Sequence, residues 1–240
     1  MANFQDLIKG LLTRIAPAGE IPKQSPQPNP GLLTPGVGPK TPPVGLLNQT
    51  LEDKQAEERR GFFFTNVSPY ELDNNQRKRL TEGDNYKPTR VNVKGKVEKF
   101  WTIGPGVKLD QDNVDRINKL AGDRIILDKN FINSKSRVPQ DIVDKVALQK
   151  WDNAVNIANQ TLGANNPANY IYASMVYQLG PKGAGEFKDT INQLKKGTAE
   201  GYKQAEKKVA ESDWNKQTPV RVEAVQRMLK DLASFQNKGR

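Results

Sequence analysis

Apolar residues recur along this chain with two different periods, separated by stretches that have none. Residues 1–15 place Phe4, Leu7, Ile8, Leu11, Leu12 and Ile15 on one stripe of a helix, with Gln5, Asp6, Lys9 and Arg14 mostly off it. Gly10 weakens that helix, so it needs a surface to form on: a partner's groove, a membrane surface, or its own domain. Residues 16–45 show no period and hold nine of the sixteen prolines, which predicts an extended, polyproline-like arm. Gly-Leu-Leu recurs at 10–12, 31–33 and 45–47, either as short apolar anchors for a partner's surface or by chance in a segment rich in Gly and Leu. The charged run Leu51 to Arg60 suits a short helix, and Phe62, Phe63 and Phe64 are expected to pack where the arm meets the domain.

Ser68-Pro-Tyr-Glu71 has the form of a capping box, predicting a helix through Leu80 that stops at Gly83. Alternating apolar residues then flank Gly95, from Thr89 to Val93 and from Val97 to Ile103, and predict a hairpin. Helical periods continue over Asp112 to Leu120, Pro139 to Leu162, Tyr170 to Leu179, Gly185 to Lys195, Glu200 to Ser212 and Val220 to Asn237. The order is helix, hairpin, then helices, which predicts an α+β fold: a small helix-plus-hairpin lobe joined to a mostly helical lobe. Three segments result: an amphipathic docking segment 1–15, a Pro-rich arm 16–60 and a folded domain 61–240.

Composition narrows the chemistry. There is no Cys and no His among 240 residues, so thiol nucleophiles, disulfides and the usual general base are excluded. Acid–base work falls to carboxylates, Lys or Tyr. No cofactor or metal is expected, since His, Cys and clustered carboxylates are all missing. The net charge of +10 suits an anionic partner, but Lys and Arg are interspersed with Asp and Glu, and no nucleic-acid motif is present. No run reaches the roughly 20 apolar residues of a membrane span, and Met1 to Ile15 lacks the form of a secretory signal.

Three motifs in the C-terminal part belong together. Ala173-Ser-Met-Val-Tyr-Gln-Leu-Gly180 is followed by Gly183-Ala-Gly-Glu-Phe187 and then by Trp214-Asn-Lys-Gln-Thr-Pro-Val-Arg221. In order, spacing and residue type they resemble the helical lobe of the phage-type lysozyme (muramidase) family, and the resemblance extends over about residues 68–237. Upstream, Thr81-Glu-Gly83 resembles the end of that family's first helix, and Trp101-Thr-Ile-Gly-Pro-Gly106 resembles the segment after its hairpin.

The resemblance implies a lysozyme-like fold and assigns roles. Glu82 stands where the family has its general acid, and Thr102 where it has the residue that helps hold the catalytic water. Gln178 and Arg221 stand at substrate-binding or supporting positions, and Arg221 is implied to reach towards the acid. A glycosidase of this kind usually needs a second carboxylate. The segment from Glu82 to Thr102 is longer than the family's, and aligning its turn puts Asn92 at the second catalytic position, where an amide is neither base nor nucleophile. The His that comes after the Gly-x-Gly in the family, a support for the site, is Val107 here. Three explanations stay open. Glu98 supplies the second carboxylate; a single acid suffices, as in lytic transglycosylases; or the fold is kept without activity.

The resemblance therefore implies cleavage of the MurNAc–GlcNAc bond of bacterial peptidoglycan. The N-terminal arm adds an expectation of its own, that residues 1–45 dock the enzyme to other virion proteins. The chain would then act from the phage virion during cell-wall penetration, or from the host cytoplasm before lysis. The alternatives are a lysozyme-fold structural virion protein without activity, and a single-acid transglycosylase.

Overall fold

The structure, a computed structural model, describes residues 50–68, 89–93, 96–122 and 137–238. Segment 1–15, the Pro-rich arm as far as residue 49, and the helix expected between Ser68 and Leu80 lie outside the described residues, as does Glu82.

Helix α1 (Leu51–Phe62) starts at a reciprocal cap: the Asp53 N–H donates to Thr50 Oγ1 at 3.2 Å, and the Thr50 N–H donates to Asp53 Oδ2 at 3.0 Å. Glu52 and Asp53 in its first turn and Arg59 and Arg60 in its last both suit the helix dipole. The helix passes without a break from Arg60 to Gly61, so the charged run is continuous with the phenylalanine segment. It widens into one π-type turn over Phe63–Val67, where the Asn66 amide donates to the Phe62 carbonyl at 3.3 Å. Adjacent residues on an α-helix point about 100° apart. Phe62 and Phe63 are nevertheless both buried, while Phe64 is half-buried. Ser68 is in the αR conformation and its N–H bonds the Phe63 carbonyl, not the extended backbone expected of an N-cap.

Strands β1 (Thr89–Val93), β2 (Lys96–Ile103) and β3 (Val107–Lys108) form an antiparallel sheet in that order. Thr89 stands opposite Thr102, Arg90 opposite Trp101 and Asn92 opposite Val97. Between Arg90 and Asn92 the register shifts, so Glu98, Lys99 and Phe100 stand against a single β1 residue, Val91. This excess of residues is a bulge on β2. Helix α2 (Gln111–Ala121) is capped by Asp110, whose Oδ1 accepts from the Asn113 N–H at 3.2 Å. The Asn113 side-chain amide donates to the Lys108 carbonyl at 2.9 Å and ties the helix to the sheet.

Helix α3 (Gln140–Leu162) is the longest described element. It buries Ile142, Val143, Val146, Ala147, Trp151, Ala154, Val155, Ala158 and Leu162, and packs against α2, β3 and the next helix. That next helix, α4 (Asn169–Gly185), breaks at Gly180, where φ is 73°, and Pro181 restarts it from a first-turn position that needs no N–H. Four helices complete the chain: α5 (Lys188–Lys195), α6 (Ala199–Ala210), α7 (Asp213–Gln217) and α8 (Pro219–Lys238). Thr198 caps α6 and Ser212 caps α7 through their hydroxyl oxygens. Helix α6 begins so close to α5 that a Cβ on Gly201 would lie 2.6 Å from the Gln193 carbonyl oxygen. Only glycine fits there. The fold is thus mostly helical with one small antiparallel sheet, in keeping with the α+β expectation, and no described helix is long and apolar enough to cross a membrane.

The core centres on Trp151. Its ring stacks on Phe62 at 5.9 Å with an interplanar angle of 8° and lies 5.6 Å from Phe63, with Tyr170 and Tyr177 beside it. Its indole N–H donates to the Arg59 carbonyl at 3.0 Å, so α1 is held by both an apolar and a polar contact. At the edge of this cluster Arg59 Nε meets Asp152 Oδ1 at 3.4 Å. Burial raises the Asp152 carboxyl, and the Arg59 charge opposes that.

Burial also pushes the Tyr170 and Tyr202 phenols up to about 12 from an ordinary 10. A raised folded-state value favours the neutral phenol. The stability it contributes is fully present below about pH 10 and is lost as pH rises towards about 12. After allowance for solvent screening the loss is of the order of 2 kcal/mol for each phenol. The Tyr202 hydroxyl is buried without a hydrogen-bond partner among the described residues, so Tyr202→Phe removes a titrating group and no bond. Denaturant midpoints measured across that pH window should fall steeply for the native chain and less steeply for Tyr202→Phe. Superimposable curves would show that Tyr202 ionises elsewhere in the scale.

Candidate active site

The segment after the hairpin owes its shape to two glycines. Gly104 and Gly106 have φ of 54° and 71°, flanking Pro105 in a tight turn between β2 and β3. The Gly106 N–H donates to the Gly104 carbonyl at 2.7 Å, closing the turn on itself. Ile103 and Val107 pair across its base and both are fully buried. Thr102, half-buried, lies just before the turn on the central strand, with Thr89 on one side of it in register and Lys108 on the other.

This turn packs against helix α4. The Tyr177 hydroxyl donates a short hydrogen bond to the Pro105 carbonyl, across 72 positions of sequence. Lys150 Nζ, from α3, lies 3.5 Å from the Gly106 carbonyl oxygen and 4.1 Å from the centre of the Tyr177 ring. Two separated motifs, Thr102 to Gly106 and Ala173 to Gly180, therefore meet at one place. Gln178 comes directly after Tyr177; it is half-buried, and its Oε1 is buried with no hydrogen-bond partner among the described residues. Ser174, one helical turn earlier, likewise has a buried hydroxyl without a partner among them.

The other candidates divide. Asn92 is on β1 in regular register with Val97, and Glu98 is in the β2 bulge; both are placed by backbone position. Arg221 is half-buried in the first turn of α8, which packs against α4, and its N–H bonds the Thr218 carbonyl at 3.1 Å. Thr218 starts α8 with its carbonyl, while its hydroxyl donates back to the Trp214 carbonyl at 3.4 Å. Trp214 is 5% exposed and edge-to-face with Phe187 at 5.8 Å, which makes it a core residue. Gln217 is exposed. A cavity of about 420 Å³ is lined by residues of α1 and the start of α3 that include Arg60, Asp144 and Lys145, and Thr102, Gln178 and Arg221 are not among its described lining residues.

Sequence reasoning does not single out Tyr177 or Lys150. Tyr177 carries no distinguishing signal, since Tyr170, Tyr172 and Ser174 place hydroxyls in the same run. Lys150, next to Trp151 on a helix of mixed polarity, carries none.

No protein-family model matches the chain, and no curated protein matches it.

Proposed function

We propose that the chain is a peptidoglycan-degrading glycosidase, a muramidase that cleaves the MurNAc–GlcNAc bond. Glu82 is its acid, and Thr102 holds the attacking water. The observation that carries this reading is the Tyr177–Pro105 hydrogen bond. The turn after Thr102 and the helix of Gln178 are two of the described segments whose motifs resemble the phage-type lysozymes, and they lie against each other as one site requires. The Gln178 side-chain Oε1, without a hydrogen-bond partner among the described residues, adds an acceptor suited to a sugar hydroxyl or an N-acetyl N–H. Without His or Cys in the chain, a carboxylic acid is the natural proton donor to the leaving oxygen.

In this reading the chain is a virion component. The amphipathic segment and Pro-rich arm of residues 1–45 dock it among other virion proteins, and it opens the cell wall locally during infection. Virion proteins captured equally with and without residues 1–45 would count against the docking role.

Digestion of purified peptidoglycan by the full chain, with products weighed by mass spectrometry, tests the activity. Muropeptides with free reducing ends support the hydrolase and direct attention to Glu98 for the second carboxylate. Anhydro-muropeptides support single-acid transglycosylation, which the amide at Asn92 favours, because the sugar's own hydroxyl then replaces the activated water. A folded chain that releases no product would overturn the enzymatic reading.

A further inference from the structure

We infer that Tyr177 and Lys150 form a clamp on the Gly104–Gly106 turn and are positioning residues for Thr102. The turn has little rigidity of its own. It is made of two glycines, whose backbones have the most freedom to lose, and a proline that donates no hydrogen bond. Its internal bond joins the Gly106 N–H to the Gly104 carbonyl, and this leaves the Pro105 and Gly106 carbonyls to be met from outside the turn.

Both are met. The Tyr177 hydroxyl takes the Pro105 carbonyl, and the Lys150 ammonium approaches the Gly106 carbonyl at 3.5 Å. The same ammonium sits over the Tyr177 ring at 4.1 Å, so the two groups brace each other as a cation–π pair. Tyr177 is itself held fast: it is 1% exposed, edge-to-face with Phe63 at 5.2 Å, and 6.3 Å from Trp151. Helices α3 and α4 thus hold the turn from two directions. Val107, where the family resemblance places a supporting His, is fully buried and has no polar side-chain atom with which to do so. In this chain the polar support of the turn comes from Tyr177 and Lys150.

That the clamp serves catalysis rests on the proposed glycosidase reading; that it holds the turn does not. The two are separated by measuring amide exchange and peptidoglycan turnover on the full chain with Tyr177→Phe, Lys150→Met and Lys150→Arg. Tyr177→Phe keeps the ring in the core and deletes only the donor. With the unfolding midpoint near that of the native chain, amide exchange at Thr102 to Val107 should quicken about tenfold or more in Tyr177→Phe and Lys150→Met. Exchange in α6 should stay unchanged, and Lys150→Arg, which keeps a cation over the ring, should restore much of the protection. The kcat on peptidoglycan should fall about tenfold or more with KM little changed, since a misplaced Thr102 weakens the transition state more than substrate binding.

Turn amides that exchange as in the native chain would overturn the clamp, whatever the activity. Quickened exchange with unchanged kcat would overturn the positioning role. Quickened exchange in a chain whose native form does not digest peptidoglycan would uphold the clamp and sink the glycosidase reading.

Discussion

Glu82→Gln is expected to lower peptidoglycan turnover by about 10²–10⁴-fold, the usual contribution of a positioned general acid. The substitution keeps the length and hydrogen-bonding shape of the side chain and removes its ability to deliver a proton. The chain holds no His or Cys to substitute for it. The variant should unfold at the midpoint of the native chain, so that lost activity reports chemistry and not folding. Glu98→Gln makes the informative partner. If both variants lose activity, the mechanism uses two carboxylates. If only Glu82→Gln does, a single acid suffices and anhydro products are expected. A Glu82→Gln variant with native turnover would remove Glu82 from the mechanism altogether.

The second large effect is on stability. Trp151→Ala should cost about 3–5 kcal/mol, the range for truncating a fully buried large aromatic. The ring is 0% exposed and contacts Phe62, Phe63, Tyr170 and Tyr177, so its loss leaves a cavity bordered by side chains from three elements. It also removes the donor to the Arg59 carbonyl, which is one of the bonds holding α1 to the domain. Trp151→Phe retains much of the apolar contact and should cost clearly less, about 1–3 kcal/mol. Equilibrium denaturation of the three proteins gives the comparison. A Trp151→Ala variant within about 1 kcal/mol of the native chain would show that the aromatic cluster is not the organising core.

Trp151 also illustrates the limits of reading a core from periodicity. The pattern from Pro139 to Leu162 predicts the helix and its buried face, and the helix forms over Gln140–Leu162. Nothing in that pattern says that the face receives Phe62 and Phe63, about 90 positions earlier. Their adjacency in sequence predicts packing at the base of the arm, and there they pack. The π-type turn beside them has no counterpart in the pattern, because hydrophobic spacing does not distinguish one wide turn from a regular helix.

For the candidate site, the residue types are legible in the sequence and the assembly is not. Gly104 and Gly106 are the residue type that the positive φ of their turn favours, and Thr102 is singled out through the family resemblance alone. The two strands that flank Gly95 in sequence pair antiparallel, as the alternation predicts, but the bulge that places Glu98 out of regular register arises from strand pairing. Ser68 shows the opposite failure. Its local pattern reads as an N-cap, yet it continues a preceding helix, because packing of Phe62, Phe63 and Val67 outweighs the capping preference.

By itself the sequence determined the chemistry this protein has available, carboxylates without His or Cys, together with the positions of most of its described helices and of strands β1 and β2. These are local properties, set by backbone geometry and by which face of each element is apolar. Only the tertiary structure decided which elements meet: the Tyr177 hydroxyl on the Pro105 carbonyl, Lys150 over the Tyr177 ring, and Trp151 against Phe62. Periodicity specifies a face but not its partner. Contacts between distant segments arise from the joint packing of all the elements, which no single stretch of the chain encodes.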